Sequence, residues 1–93
     1  MIRSFACAET ERLFLDFSSR RLPTQIQTVA RRRLLLLDQA RRLEDLRVPP
    51  GNKLESLKGD RAGQHSIRVN EQWRICFRWA GSDAFSVEIV DYH

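Results

Sequence analysis

Two cysteines and two histidines are all that this 93-residue sequence offers as soft metal ligands. Cys7 and Cys76 are far apart, and with His65 and His93 they match no zinc spacing. No metal and no cofactor is expected, and the thiols read as reduced residues of a cytosolic protein. Long apolar runs are also missing. The longest is Leu34 to Leu37, between Arg33 and Asp38, far short of the ~20 residues of a membrane span. The opening MIRSFACAETERLF has no stretch of signal-peptide length, so a cytoplasmic protein without a membrane partner is expected. Glycine is scarce, with four residues. The pair in LKGDRAG has the wrong spacing for a phosphate-binding P-loop, and no Gly-x-Ser-x-Gly elbow occurs. What remains open is acid–base chemistry on a phosphate-like substrate, or binding without chemistry.

Positive charge is not scarce. Sixteen Lys and Arg stand against twelve Asp and Glu. The excess lies in residues 1–50, which hold ten basic and six acidic side chains, and it includes Arg31, Arg32 and Arg33. Such a balance suits a polyanion or an acidic protein partner and does not choose between them. The arginine run is equally compatible with a solvated helix face.

The pattern predicts one α+β domain over 1–93. Ile2 to Phe5 reads as a short strand. Leu13, Phe14 and Phe17 recur at helical spacing over about Ala8 to Ser18. After a link, Pro23 suits the first turn of a second helix, with Ile26, Val29, Ala30, Leu34, Leu37 and Ala40 on one face. Two helices so closely joined form an antiparallel hairpin. The breaker cluster Val48-Pro49-Pro50-Gly51 then ends the helical half. Beyond it, Ile67 and Val69 alternate with Arg68, and Trp73, Ile75, Phe77 and Trp79 alternate with Arg74, Cys76 and Arg78. Phe85, Val87 and Ile89 alternate in a last run. Short connections make these strands antiparallel neighbours. The expected fold is an N-terminal helical hairpin packed on one face of a twisted antiparallel sheet, with Arg68, Arg74 and Arg78 on the other. Trp73 and Trp79 are expected in the core.

The chemistry-bearing candidates are Glu55, Lys58, Arg68, Arg74, Asp91, Tyr92 and His93, with His65 beside them. Cleavage of RNA by its own 2′-hydroxyl needs an acceptor for that proton, a donor to the leaving 5′-oxygen, and cations for the growing phosphorane charge. Carboxylates such as Glu55 are ionised at neutral pH and can accept. An imidazole, with an ordinary pKa of about 6.5, can donate. His93 stands beside its own terminal carboxylate, which favours the protonated ring. Each residue has a plainer reading. His93 could be a frayed end, Tyr92 a sheet-edge aromatic, Glu55 a surface residue and Lys58 a turn residue. Arg74 and Arg78 could pair with Glu88 or Asp83, and His65 could be structural.

The segment LKGDRAGQHSIRVNEQWRICFRW, followed by VEIVDYH, closely resembles the HigB branch of the RelE/ParE toxin superfamily, the plasmid maintenance system killer proteins. The likeness is dense over roughly the last forty residues and looser before them. It implies a small RelE-like fold. It implies a toxin of a type II toxin–antitoxin system that cleaves translated mRNA at the ribosomal A site. The partners implied are the 30S A site with its mRNA and a HigA-like helix-turn-helix antitoxin. Lys58 and Arg74 resemble the cations at the scissile phosphate. Asp91, Tyr92 and His93 resemble the terminal catalytic group, with His93 as general acid and Tyr92 as a stacking or orienting residue. Arg68, Arg78 and His65 are expected to contact RNA. The chain departs from the family at Glu55, where a histidine is common; other RelE-superfamily toxins, of the YoeB type, use a glutamate base. His65 replaces a frequent aromatic. Two other readings stay open: a ParE-like gyrase binder without nuclease chemistry, and a weakened toxin that mainly binds its antitoxin. Arg31, Arg32, Arg33 and Arg42 are candidates for the antitoxin or for ribosomal RNA.

Overall fold

Apolar side chains three and four residues apart put one continuous stripe on a helix. Ile26, Ala30, Leu34 and Leu37 form that stripe on helix α2 (Thr24–Gln39), and all four are buried. Helix α1 (Ala8–Phe14) lies against it. The computed structural model, which describes residues 1–92, shows these two helices covering one face of a four-stranded antiparallel sheet. The strands are β1 (Glu55–Ser56), β2 (His65–Arg68), β3 (Trp73–Ala80) and β4 (Asp83–Asp91), in that order across the sheet. Short 3-10 turns at Leu43–Arg47 and Pro50–Asn52 link the helical half to the sheet, and a third at Gly59–Arg61 joins β1 to β2. Among the described residues no helix is long and apolar enough to cross a membrane.

The core lies between the helices and the inner sheet face. Leu34 and Leu37 meet a layer that includes Ile67, Ile75, Phe77 and Val87, all inaccessible to solvent. Burying each large apolar side chain contributes roughly 1.5–3 kcal/mol. Trp73 and Trp79 are half-buried at the two ends of this layer and pack against the core. They close its rim because their indoles are too large to sit wholly inside so thin a domain.

Three details differ from the alternation in the sequence. Asp16 takes φ 71, so α1 stops at Phe14 and Phe17 is left 56% exposed instead of joining the helical seam. Ser86 takes φ 53 at a bulge between β3 and β4. The extra residue shifts the pairing so that Trp79 faces Ala84 and Arg78 faces Phe85. Ala84 thereby enters the core, and Phe85 goes to the opposite face from Val87 and Ile89. Glu55 and Ser56 form a short edge strand that the sequence pattern did not announce.

The N-terminal segment closes the outer edge of β4. Ile2 and Phe5 form parallel bridges with Ala84 and Val87, and the Arg3 and Ala6 N–H groups donate to the Ala84 and Val87 carbonyls at 2.8 and 2.9 Å. Farther along, the Ile89 N–H donates to Thr10 Oγ1 of α1 at 3.0 Å. An edge satisfied this way offers no template for another chain. It also fixes the strand that leads to the C-terminal residues. Replacing Leu34 by Ala removes a side chain at the centre of the helix–sheet contact. The expected cost is about 2–5 kcal/mol, read as a lower urea midpoint with an unchanged slope.

Candidate active site

Cross-strand register decides which side chains share the face away from the helices. β2 and β3 pair Ser66 with Cys76 and Arg68 with Arg74, while β1 sets Glu55 opposite Ser66. Side chains directly across the sheet lie on one face, so Glu55, Ser66, Arg68 and Arg74 belong together. β4 adds Glu88 opposite Cys76 and Val90 opposite Arg74. Tyr92 follows Val90 by two residues, and its N–H donates to the Gln72 carbonyl at 2.8 Å. Its ring comes back over Arg74, with Cζ of the guanidinium 5.9 Å from the ring centroid.

Arg74 is the centre of this face. It is only 9% exposed. Nε donates to Ser66 Oγ at 2.8 Å, and Nη2 donates to the Lys53 carbonyl at 2.7 Å. Lys53 presents that carbonyl from a left-handed conformation, φ 45 and ψ 58, where the 50–52 turn ends. Nη1 lies 3.6 Å from Glu55 Oε1. Among the described residues, two of the guanidinium's close partners are therefore neutral oxygens, and its carboxylate partner Glu55 is half exposed and at ion-pair distance. Among the described residues, a cation buried in that way has little negative charge to offset its desolvation. Arg68 deepens the deficit, since it sits directly opposite Arg74. Like charges placed across a strand pair repel. Arg68 is steadied by its own loop: Nε donates to the Asn70 carbonyl at 3.0 Å, with Glu71 at 4.0 Å.

The remaining candidates separate. Lys58 is exposed where the 59–61 turn begins; its carbonyl accepts from the Arg61 N–H at 3.4 Å, and its side chain makes no hydrogen bond or ion pair among the described residues. Arg78 is exposed on the same face as Arg74, and its Nη1 lies 3.1 Å from where a Cβ on Gly63 would stand. Asp91 pairs with Trp73 and so occupies the other face, where its Oδ2 accepts from Gln72 Nε2 at 3.1 Å. His65 also lies on the other face, opposite Phe77 with ring centroids 5.9 Å apart, and its Nδ1 is 3.3 Å from Ser56 Oγ. Burial holds its pKa below the ordinary 6.5. His93 lies outside the described residues. Neither Arg74 nor Arg78 has Glu88 or Asp83 as its partner. Glu88 accepts from Arg61 Nη1 at 2.9 Å, and Asp83 pairs with Arg3 and the N-terminus. Beneath the Arg61–Glu88 pair Cys76 is fully buried, and that burial pushes its thiol pKa up.

Two contributors to the Arg74 setting were not singled out as site residues in the sequence. Ser66 stood within a quoted motif without a role. Lys53 acts through its backbone, which leaves no signal in its side-chain identity. Among the described residues no cluster of three or more His, Cys, Asp or Glu is arranged to hold a metal ion.

This arrangement of a helical hairpin on a small sheet with a cation-rich reverse face has known relatives. A family model described as the RelE-like toxin of the type II toxin–antitoxin system HigB matches residues 3–93. The chain is 42% identical over 71 residues to Toxin HigB-1 of Vibrio cholerae, covering 76% of this chain and 75% of that protein. It is 36% identical over 93 residues to Endoribonuclease HigB of Proteus vulgaris, covering 100% of both. The chain belongs to the HigB-like toxin family of type II toxin–antitoxin systems.

Replacing Ser66 by Ala leaves the buried Arg74 Nε–H without its acceptor. The expected loss is about 1–3 kcal/mol in urea unfolding. His65 gives a separate, pH-dependent signature. Its folded pKa is depressed, so the unfolded chain binds the extra proton more readily. Stability holds above pH 6.5 and falls as the pH drops through 6.5 toward the lower folded value. His65→Phe should flatten that part of the curve of melting temperature against pH.

Proposed function

We propose that this toxin is an endoribonuclease that cleaves translated mRNA at the ribosomal A site by 2′-hydroxyl transesterification. One observation carries the reading: Arg74 is a nearly buried guanidinium, fixed by Ser66 and the Lys53 carbonyl, with the half-exposed Glu55 as its carboxylate partner among the described residues. A cation positioned before substrate arrives stabilises charge that develops in the transition state without first reorganising. The name of the Proteus vulgaris relative, Endoribonuclease HigB, supports the same class of reaction.

In the proposed step Glu55 removes the 2′-hydroxyl proton. The 2′-oxygen bonds to phosphorus, the bond from phosphorus to the 5′-oxygen breaks, and a 2′,3′-cyclic phosphate forms. Arg74 and Lys58 stabilise the charge on the non-bridging oxygens, and His93 protonates the departing 5′-oxygen. Tyr92, exposed beside Arg74 with its ring over the guanidinium, is placed to stack on a base. Arg68 and Arg78 extend the cationic face along the backbone of the message. Asp91 anchors the terminal segment through Gln72 from the reverse side. His65, on the helical side, takes no part in this step. The ribosome supplies substrate orientation, which accounts for a large share of such rates. Action is in the cytoplasm, and a HigA-like helix-turn-helix antitoxin restrains it.

Mapping RNA 5′ ends in cells that express the toxin without antitoxin tests the scheme. Wild type should produce new ends within translated frames, and removal of His93 should abolish them. Arg74→Met should lower cleavage by about 10²–10³-fold. Glu55→Gln should lower it by about 10²–10⁴-fold, whereas Glu55→His supplies another proton acceptor and should keep most activity. Undiminished cleavage by the His93-truncated or Glu55→Gln chain would overturn these assignments.

A further inference from the structure

The loop between α1 and α2, residues 15–23, exposes two large apolar side chains, Leu15 and Phe17, each 56% exposed. This loop is well braced. Ser19 is buried, its Oγ donating to Glu9 Oε1 at 2.7 Å and accepting from the Arg21 and Leu22 N–H groups at 3.2 Å. Gln27 of α2 clamps the same stretch, its Nε2 donating to the Ser19 and Leu22 carbonyls at 2.8 Å each. Asp16, in its left-handed conformation, turns the chain ahead of Phe17. Arg12 lies over the Phe17 ring, 5.6 Å from its centroid. Phe17 is thus held outward on a fixed frame and does not belong to the core.

The charge around these two side chains is predominantly positive. A cleft of about 440 Å³ beside the loop is lined by Glu9, Arg12, Ser18, Arg20 and Arg21. Of the three acids nearby, Glu9 is engaged by Ser19 and Asp16 by Arg31 at 3.4 Å, and Glu11 stands exposed on α1 one turn before Leu15. Arg12, Arg20 and Arg21 have no carboxylate partner among the described residues. An apolar centre with a charged rim is the anatomy of a protein interface. Arginine and aromatic side chains are the residues that most often dominate binding there.

We propose that this patch docks an acidic segment of the cognate antitoxin, whose carboxylates meet Arg12, Arg20 and Arg21 while its apolar side chains cover Leu15 and Phe17. Membership of a toxin–antitoxin family supplies the partner's existence, and the charge on the patch selects the chemistry of the docking segment. Nucleic acid fits less well, because phosphates would engage the arginines and leave Leu15 uncovered. The proposal does not depend on RNA cleavage, so either reading can fail without the other.

Calorimetric titration of the full-length cognate antitoxin into the purified toxin decides it. Arg20→Glu with Arg21→Glu should weaken binding by about 100-fold or more, and Phe17→Ser by about 10-fold. Arg47→Glu, an exposed charge reversal outside the patch, should leave affinity within about threefold. Circular dichroism melts establish that each variant is folded; should Phe17→Ser fail to fold, the two arginine substitutions carry the test. Affinity within about threefold of wild type in the arginine variant would overturn the proposal. So would an arginine variant that keeps antitoxin affinity but loses ribosome association, an outcome that would assign the patch to RNA.

Discussion

A guanidinium nearly removed from water, with neutral oxygens as its closest partners among the described residues, sets the requirements on the rest of this fold. Arg74 needs Ser66 on the neighbouring strand at the right register and a carbonyl aimed at it from the 50–53 turn. The first requirement fixes how β2 pairs with β3. The second fixes how the chain enters the sheet after the helices, with Lys53 in a strained left-handed conformation that presents its carbonyl. Replacing either oxygen by something apolar would leave a buried charge-bearing N–H unsatisfied. The face around Arg74 is therefore specified by hydrogen bonding, whereas the inner face of the same strands is specified by packing.

These two faces do different work. On the inner side, Ile67, Ile75, Phe77 and Val87 meet the α2 stripe, and the energy there is that of apolar burial. On the outer side, Arg68 and Arg74 stand opposite each other, Tyr92 covers Arg74, and Glu55 borders it. The N-terminal segment links the two. By pairing with the outer edge of β4 it holds the strand whose continuation carries Tyr92 to Arg74. Residues at opposite ends of the chain thus cooperate in placing the candidate site.

Much of the architecture is legible in the sequence because periodicity reports burial directly. The α2 stripe and the alternation through β3 name their own faces. Where alternation misled, a single backbone conformation was responsible. Ser86 at positive φ adds one residue to β4 and sends Phe85 to the face away from the core. Asp16 at positive φ ends α1 and turns Phe17 out of the seam. Neither residue is glycine, the type whose presence would have signalled such a conformation. Cys76 looked like an outer-face residue, yet it is fully buried because the Arg61–Glu88 pair closes over that part of the sheet.

The sequence alone determined the layering, the strand pairings of β2, β3 and β4, the family, and the identity of Arg74, Glu55 and Tyr92 as candidates, since these follow from residue type, spacing and motif. Tertiary structure alone decided which candidates meet. Glu55 and Tyr92 come to Arg74 because β1 and the end of β4 converge on one face, while His65 and Asp91 fall on the other by the two-residue repeat of a strand. It also decided what fixes Arg74: the Ser66 hydroxyl is common chemistry whose partner is set by register, and the Lys53 carbonyl belongs to a backbone that every residue shares.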